Sequence, residues 1–96
     1  MKKNWNSYNP EWIVKIAKVQ IPDRPEIIQS LAECTKSKIE SKAYTYFEDC
    51  ENPNHPNSNW QFKENIILED KKMGTVILDV LKGNKIGGIE FLQFAK

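Results

Sequence analysis

Along the chain the spacing of apolar residues changes character near residue 40. Before it, "DRPEIIQSLAECTKSK" sets Ile27, Ile28, Leu31, Ala32 and Cys34 mostly three and four apart, which draws one apolar stripe on a helix. Asp23 can cap that helix, Pro25 suits an early helical position and Glu26 favours the positive end of the helix dipole. Lys36 and Lys38 suit the negative end, so the helix is expected over about 25–36. The segment before it, "EWIVKIAKVQI" at 11–21, is rich in Val, Ile and Trp and ends at Pro22, and it reads as an N-terminal strand.

From residue 42 onward the period is two. "KAYTYFED" puts Tyr44 and Tyr46 on one side of a strand and Ala43, Thr45 and Phe47 on the other. "ENIILED", "GTVILDVL" and "KIGGIEFLQF" continue the alternation. In the connection "KGNK", Gly83 and Asn84 have the composition of a two-residue hairpin turn with positive φ. That turn opposes Lys82 to Lys85, Val80 to Gly87, Leu78 to Ile89 and Val76 to Phe91. A three-residue turn at Lys71 to Met73 opposes Leu68 to Val76 and Ile66 to Leu78. Both turns gather aliphatic residues onto one face, as a half-buried sheet requires. The expectation is an α+β layer architecture in which the helix covers an antiparallel sheet. The sheet ends in a three-stranded meander over about 64–94, with the 42–48 strand alongside. Ile77, Leu81, Ile86 and Leu92 fall opposite the core face, where they would form an apolar patch suited to a homodimer.

Length and charge narrow the functional classes. The 96 residues make a single domain over 1–96, too small for two lobes enclosing a deep cleft. The net charge of +1 conceals an uneven distribution: residues 1–39 carry +3, residues 40–70 carry −5 and residues 71–96 carry +3. With Arg24 as the only arginine and no dense basic stripe, direct nucleic-acid binding is not expected. No apolar run is long enough for a membrane span, and no apolar segment follows the N-terminal lysines as in a secretory signal. The expected location is therefore the cytoplasm, with Cys34 and Cys50 reduced.

The stretch "DCENPNHPNSNWQF" at 49–62 holds the only histidine, His55. Structural zinc needs four Cys or His ligands at short spacings, and a calcium loop needs regularly spaced oxygens around a glycine; the stretch offers neither, so no metal and no cofactor is expected. A Cys50–His55 pair on one proline-bounded loop lacks the rigid supports that nucleophilic catalysis uses. Pro53 and Pro56 make the stretch read as a stiff, extended connection. Two other groups stand out as places for a partner. Asp79 opposes Gly88 with Glu90 diagonal to it, and Tyr44, Tyr46, Glu48, Asp49, Glu51 and Trp60 mix aromatic and acidic character, a combination found at interface hot spots.

"KAYTYF…ENIILED…GTVILDVLKGNKIGGIEFL" resembles a family of very small bacterial domains of unknown function. These pair an Ala-x-Tyr strand with a closing hairpin of the form Gly-Ile-Glu-apolar-Leu. Ala43, Tyr44, Asp79, Gly88, Ile89, Glu90 and Leu92 carry the match, which covers residues 42–93. The insertion "CENPNHPNSNW" and everything before residue 40 depart from it. The elaborated chain is also similar to small immunity proteins encoded beside bacterial polymorphic or contact-dependent toxins. That resemblance implies a non-catalytic, protein-binding domain that neutralises a cognate toxin, such as a nuclease; the aromatic and acidic groups named above, Tyr44, Tyr46, Glu48, Asp49, Glu51, Trp60, Asp79 and Glu90, are the contact residues expected from the sequence. A small ligand-binding domain or enzyme using the His55 loop, and a homodimeric structural module, stand as alternatives.

Overall fold

The computed structural model describes residues 5–95. Lys2 and Lys3, which entered the argument about a secretory signal, lie outside the described residues. The elements run β1 (Asn6–Ser7), α1 (Glu11–Gln20), α2 (Pro25–Ala32), β2 (Lys36–Ser41), β3 (Tyr44–Tyr46), β4 (Phe62–Asp70), β5 (Gly74–Leu81) and β6 (Ile86–Phe91). Short 3-10 turns, Lys82–Asn84 and Leu92–Phe94, follow β5 and β6. The strands form one antiparallel sheet in the order β1-β2-β3-β6-β5-β4. The architecture is α+β, as the alternation of periods predicts.

Two local assignments are corrected. Residues 11–20 form a helix, not the expected strand, and the N-terminal strand is the two-residue β1. Glu11, Lys15 and Lys18 stand at i, i+4 and i+7 on one polar face, while Ile13 and Ala17 are fully buried on the other. That spacing outweighs the β-branched composition. The Asn9 side chain accepts from the Glu11 N–H at 3.0 Å and leads the chain into the first turn. The second correction concerns α2, which stops at Ala32 instead of reaching residue 36. Pro25 occupies its first turn as expected, but Arg24 takes the N-cap position and no side chain caps it. Beyond Cys34 the chain turns into β2, whose Ser37 and Ile39 alternate with Lys36, Lys38 and Glu40.

The meander adopts the expected pairings Ile66–Leu78, Leu68–Val76, Val76–Phe91 and Leu78–Ile89. The turn after β4 is held by Asp70, whose Oδ2 accepts from the N–H groups of Lys72 and Met73 at 3.0 and 2.7 Å. Gly74 then takes φ +72°, a left-handed conformation that only glycine adopts at little cost. The second hairpin differs by one residue. Gly83 and Asn84 have φ of 80° and 62° as their composition implies, but the turn spans three residues, and the Leu81 N–H donates to the Lys85 carbonyl at 2.8 Å. Val80 therefore faces Ile86, not Gly87, and an irregularity between Asp79 and Val80 restores the Asp79–Gly88 pair.

Both helices lie on one face of the sheet. Ile13, Ala17, Ile27 and Leu31 pack with Ile66, Leu68, Val76, Leu78, Val80, Ile89 and Phe91 in one buried cluster. The irregularity in the second hairpin also alters the apolar patch expected on the opposite face, because Leu81 and Ile86 are 0% and 3% exposed. Of that set, Ile77 is half-buried and Leu92 is exposed.

Candidate functional site

The helix-free face of the sheet is built from two adjacent rows of side chains. Registry places Tyr44 beside Glu90, which is beside Ile77; the next row runs Lys38, Tyr46, Gly88 and Asp79. Tyr44 reaches diagonally from one row to the other, and its hydroxyl donates to Asp79 Oδ2 at 2.5 Å. The ring can make that crossing because residue 88 has no side chain: a Cβ there would collide with the Tyr44 ring and lie 2.7 Å from the Thr45 carbonyl oxygen. Gly87 is used in the same way by Trp60, whose ring atoms would sit 2.7 and 2.8 Å from a Cβ at 87. The glycine pair is thus a floor on which two aromatic rings lie.

Tyr46 joins these rings, with centroids 4.6 Å from Tyr44 and 5.8 Å from Trp60, the latter edge-on. The three make a small aromatic layer on the side of the sheet away from the helices. Trp60 is 7% exposed, so it serves as the foundation of the layer, whereas Tyr44 and Tyr46 are half-buried and keep an accessible edge. Burial, and then the bond to Asp79, raises the Tyr44 hydroxyl pKa above its ordinary range. Burial also raises Tyr46 and Cys50, and Glu40 and Asp79 push both in the same direction.

The 47–61 loop runs from the end of β3 to Trp60 of this layer, and it is a folded loop in place of the extended connection that its prolines implied. Asn52, Asn54 and Asn57 all have positive φ, of 49°, 67° and 73°, which bends the chain repeatedly. The Asn54 N–H donates to the Trp60 carbonyl at 2.6 Å, while its side-chain oxygen accepts from the Phe62 N–H at 2.9 Å. Ser58 Oγ donates to the Glu51 carbonyl at 2.7 Å, and Gln61 Nε2 donates to the His55 carbonyl at 2.5 Å. The bonds that place His55 are made by its main chain, and the residue is exposed. At the loop's start, the Gly87 carbonyl accepts from the N–H groups of both Phe47 and Glu48, at 2.7 and 3.2 Å. The loop is therefore pinned at both ends, to Gly87 and through Trp60.

Between the loop and β2 runs a groove lined by Trp5, Lys38, Glu40, Tyr46, Glu48, Asp49, Cys50 and Glu51. Lys38 is the single cation among the described residues of that lining, against four carboxylates. Asp49 and Glu51 are exposed, as is Glu40. The structure thus brings seven of the eight residues expected from the sequence onto one continuous surface around Tyr46, with Trp60 beneath. Glu40 and Lys38 escape the sequence reading because β2 buries only Ser37 and gives no hydrophobic signal; the alternation of "TKSKIE" is the available one.

Chemically, the face offers carboxylates and phenols. Among the described residues, no group of three or more His, Cys, Asp or Glu side chains is placed to hold a metal ion. Cys34 and Cys50 are both free thiols; Cys34 is buried with Sγ 3.3 Å from the Ser30 carbonyl oxygen, and burial pushes its pKa up to about 12. Among the described residues no helix is long and apolar enough to cross a membrane. No known protein family, curated protein or solved structure matches the chain.

Proposed function

We propose that this protein is a non-catalytic binding domain that neutralises a cognate bacterial toxin in the cytoplasm by covering its functional surface, in the manner of an immunity protein. The observation that carries this reading is the convergence of Glu40, Glu48, Asp49, Glu51, Asp79 and Glu90 around the accessible edges of Tyr44 and Tyr46. The face is rigid in its construction, since the aromatic layer rests on two glycines and the loop is tied at both ends. A pre-organised surface loses little conformational entropy on binding. Carboxylates so arranged can stand where a nuclease binds substrate phosphates, and the tyrosines supply amphipathic anchors. The partner this chemistry fits is a protein with a cationic active-site groove.

The reading is tested by co-expression with the toxin domain encoded by the neighbouring upstream gene. Protection of the host from that domain, together with a stable complex of the two purified chains, supports it. Absence of both protection and complex formation with neighbour-encoded toxin domains would sink it.

A further inference from the structure

β4 is the edge strand at the meander end of the sheet, and it carries the run Ile66–Ile67–Leu68, with Ile67 61% exposed. In an antiparallel sheet, alternate residues of an edge strand turn both main-chain groups away from their one partner and offer them to a further strand. Glu69 is such a residue, and its groups are already taken. The Gln20 side chain, at the last position of α1, donates from Nε2 to the Glu69 carbonyl at 2.6 Å, and its Oε1 accepts from the Glu69 N–H at 2.9 Å. One carboxamide thus supplies both bonds that the peptide groups of an added strand would make. Ile67 and Asn65 lie in the same phase along the strand.

We propose that Gln20 is an edge cap, and that it keeps β4 from pairing with the β4 strand of a second copy of this chain. An exposed β-branched run on an open edge is a template for self-association, and proteins protect such edges with charges or covering groups. Here Lys63, Glu64, Glu69 and Asp70 flank the run with charge, and Gln20 closes the hydrogen-bonding phase at one end. A strand pairing along the edge as far as Glu69 would have to displace the carboxamide, so the contact acts as a built-in competitor at that end. Ile67 continues the row of Glu90 and Ile77 on the helix-free face, whereas the hydrogen-bonding groups of the edge point sideways out of the sheet, so the edge proposal does not depend on the toxin reading.

The test is Gln20→Met, which keeps side-chain length at an exposed helix end and removes both bonds. Sedimentation up to roughly 100 μM, a range in which exposed strand edges associate, should show a monomeric wild type and a concentration-dependent dimer for the variant. At low concentration, where both are monomeric, the Glu69 amide should exchange with solvent about tenfold faster in Gln20→Met, as expected when a local bond is lost without global unfolding. Adding Ile67→Lys to Gln20→Met should restore the monomer. A Gln20→Met variant that sediments like the wild type with unchanged circular dichroism would overturn the proposal, and so would association that Ile67→Lys leaves intact.

Discussion

The Tyr44 hydroxyl donates to Asp79 Oδ2 at 2.5 Å across Gly88, whose lack of a side chain lets the two meet. This contact ties β3 to β5 over the intervening strand β6, and it holds the Tyr44 ring against Gly88. Tyr44→Phe should keep the ring and lose the bond. The expected cost is about 1 kcal/mol at neutral pH, less than for a buried charged bond because water can reach a half-buried Asp79. Denaturant unfolding measures it.

The same hydroxyl shapes stability in alkali. Burial and Asp79 raise its pKa in the folded chain, so the folded state holds a proton that the unfolded state releases once pH passes the ordinary tyrosine value of 10.0. The stabilisation is full below that pH and is lost as pH rises above it. Tyr8 and Tyr46 are raised as well, with burial the largest cause in each. Unfolding free energy should therefore fall with increasing pH above about 10, and in Tyr44→Phe the slope should be shallower by about one proton.

Gly87 and Gly88 should be intolerant of alanine for two different reasons. At 87 the new methyl meets the Trp60 ring, whereas at 88 it meets the Thr45 main-chain oxygen at 2.7 Å, which cannot swing aside. Each substitution should cost roughly 1–3 kcal/mol in unfolding free energy, as overpacked sites do, with Gly88→Ala the larger. Gly83→Ala, which meets nothing within 4 Å but carries φ +80°, should cost less, about 1 kcal/mol.

Much of the meander was legible because turn chemistry and alternation agreed: Gly74, Gly83 and Asn84 mark the turns, and Leu68, Val76, Leu78, Ile89 and Phe91 mark one face. The helix at 11–20 was hidden by its Val and Ile content, which raised strand propensity in a segment whose charged residues had helical spacing. β2 was hidden for the opposite reason, since Ser37 is its sole buried residue and a polar strand gives no hydrophobic signal. The folded 47–61 loop depends on asparagines at positive φ, a conformation their short side chains tolerate but do not require. For the site, the sides taken by Tyr44 and Tyr46 and the Asp79–Gly88 pair followed from period two, while the burial of Trp60 follows from Gly87, a relationship between residues far apart in the chain.

Arg24 links the start of α2 to β4 through Glu64 at 2.8 Å and to Glu26 at 2.7 Å. Its guanidinium holds both carboxyls below their ordinary value of 4.5. Stability from this pair is present above that value and is lost as pH falls through the lowered one. Arg24→Gln should flatten the decline of the unfolding midpoint in acid, and raised salt should do the same to the wild type, because solvent reaches all three partly exposed groups.

The central claim is that the acidic, aromatic sheet face binds a cationic protein. Its most direct test is the affinity of the neighbour-encoded toxin domain for the wild type and for a Glu48→Lys, Asp49→Lys, Glu51→Lys variant, measured by calorimetry with the variant's circular dichroism confirming its fold. The wild type should bind one to one, the complex should weaken with salt, and charge reversal should cost roughly 100-fold or more in affinity. Equal affinity of the two proteins, or salt-independent binding, would contradict it.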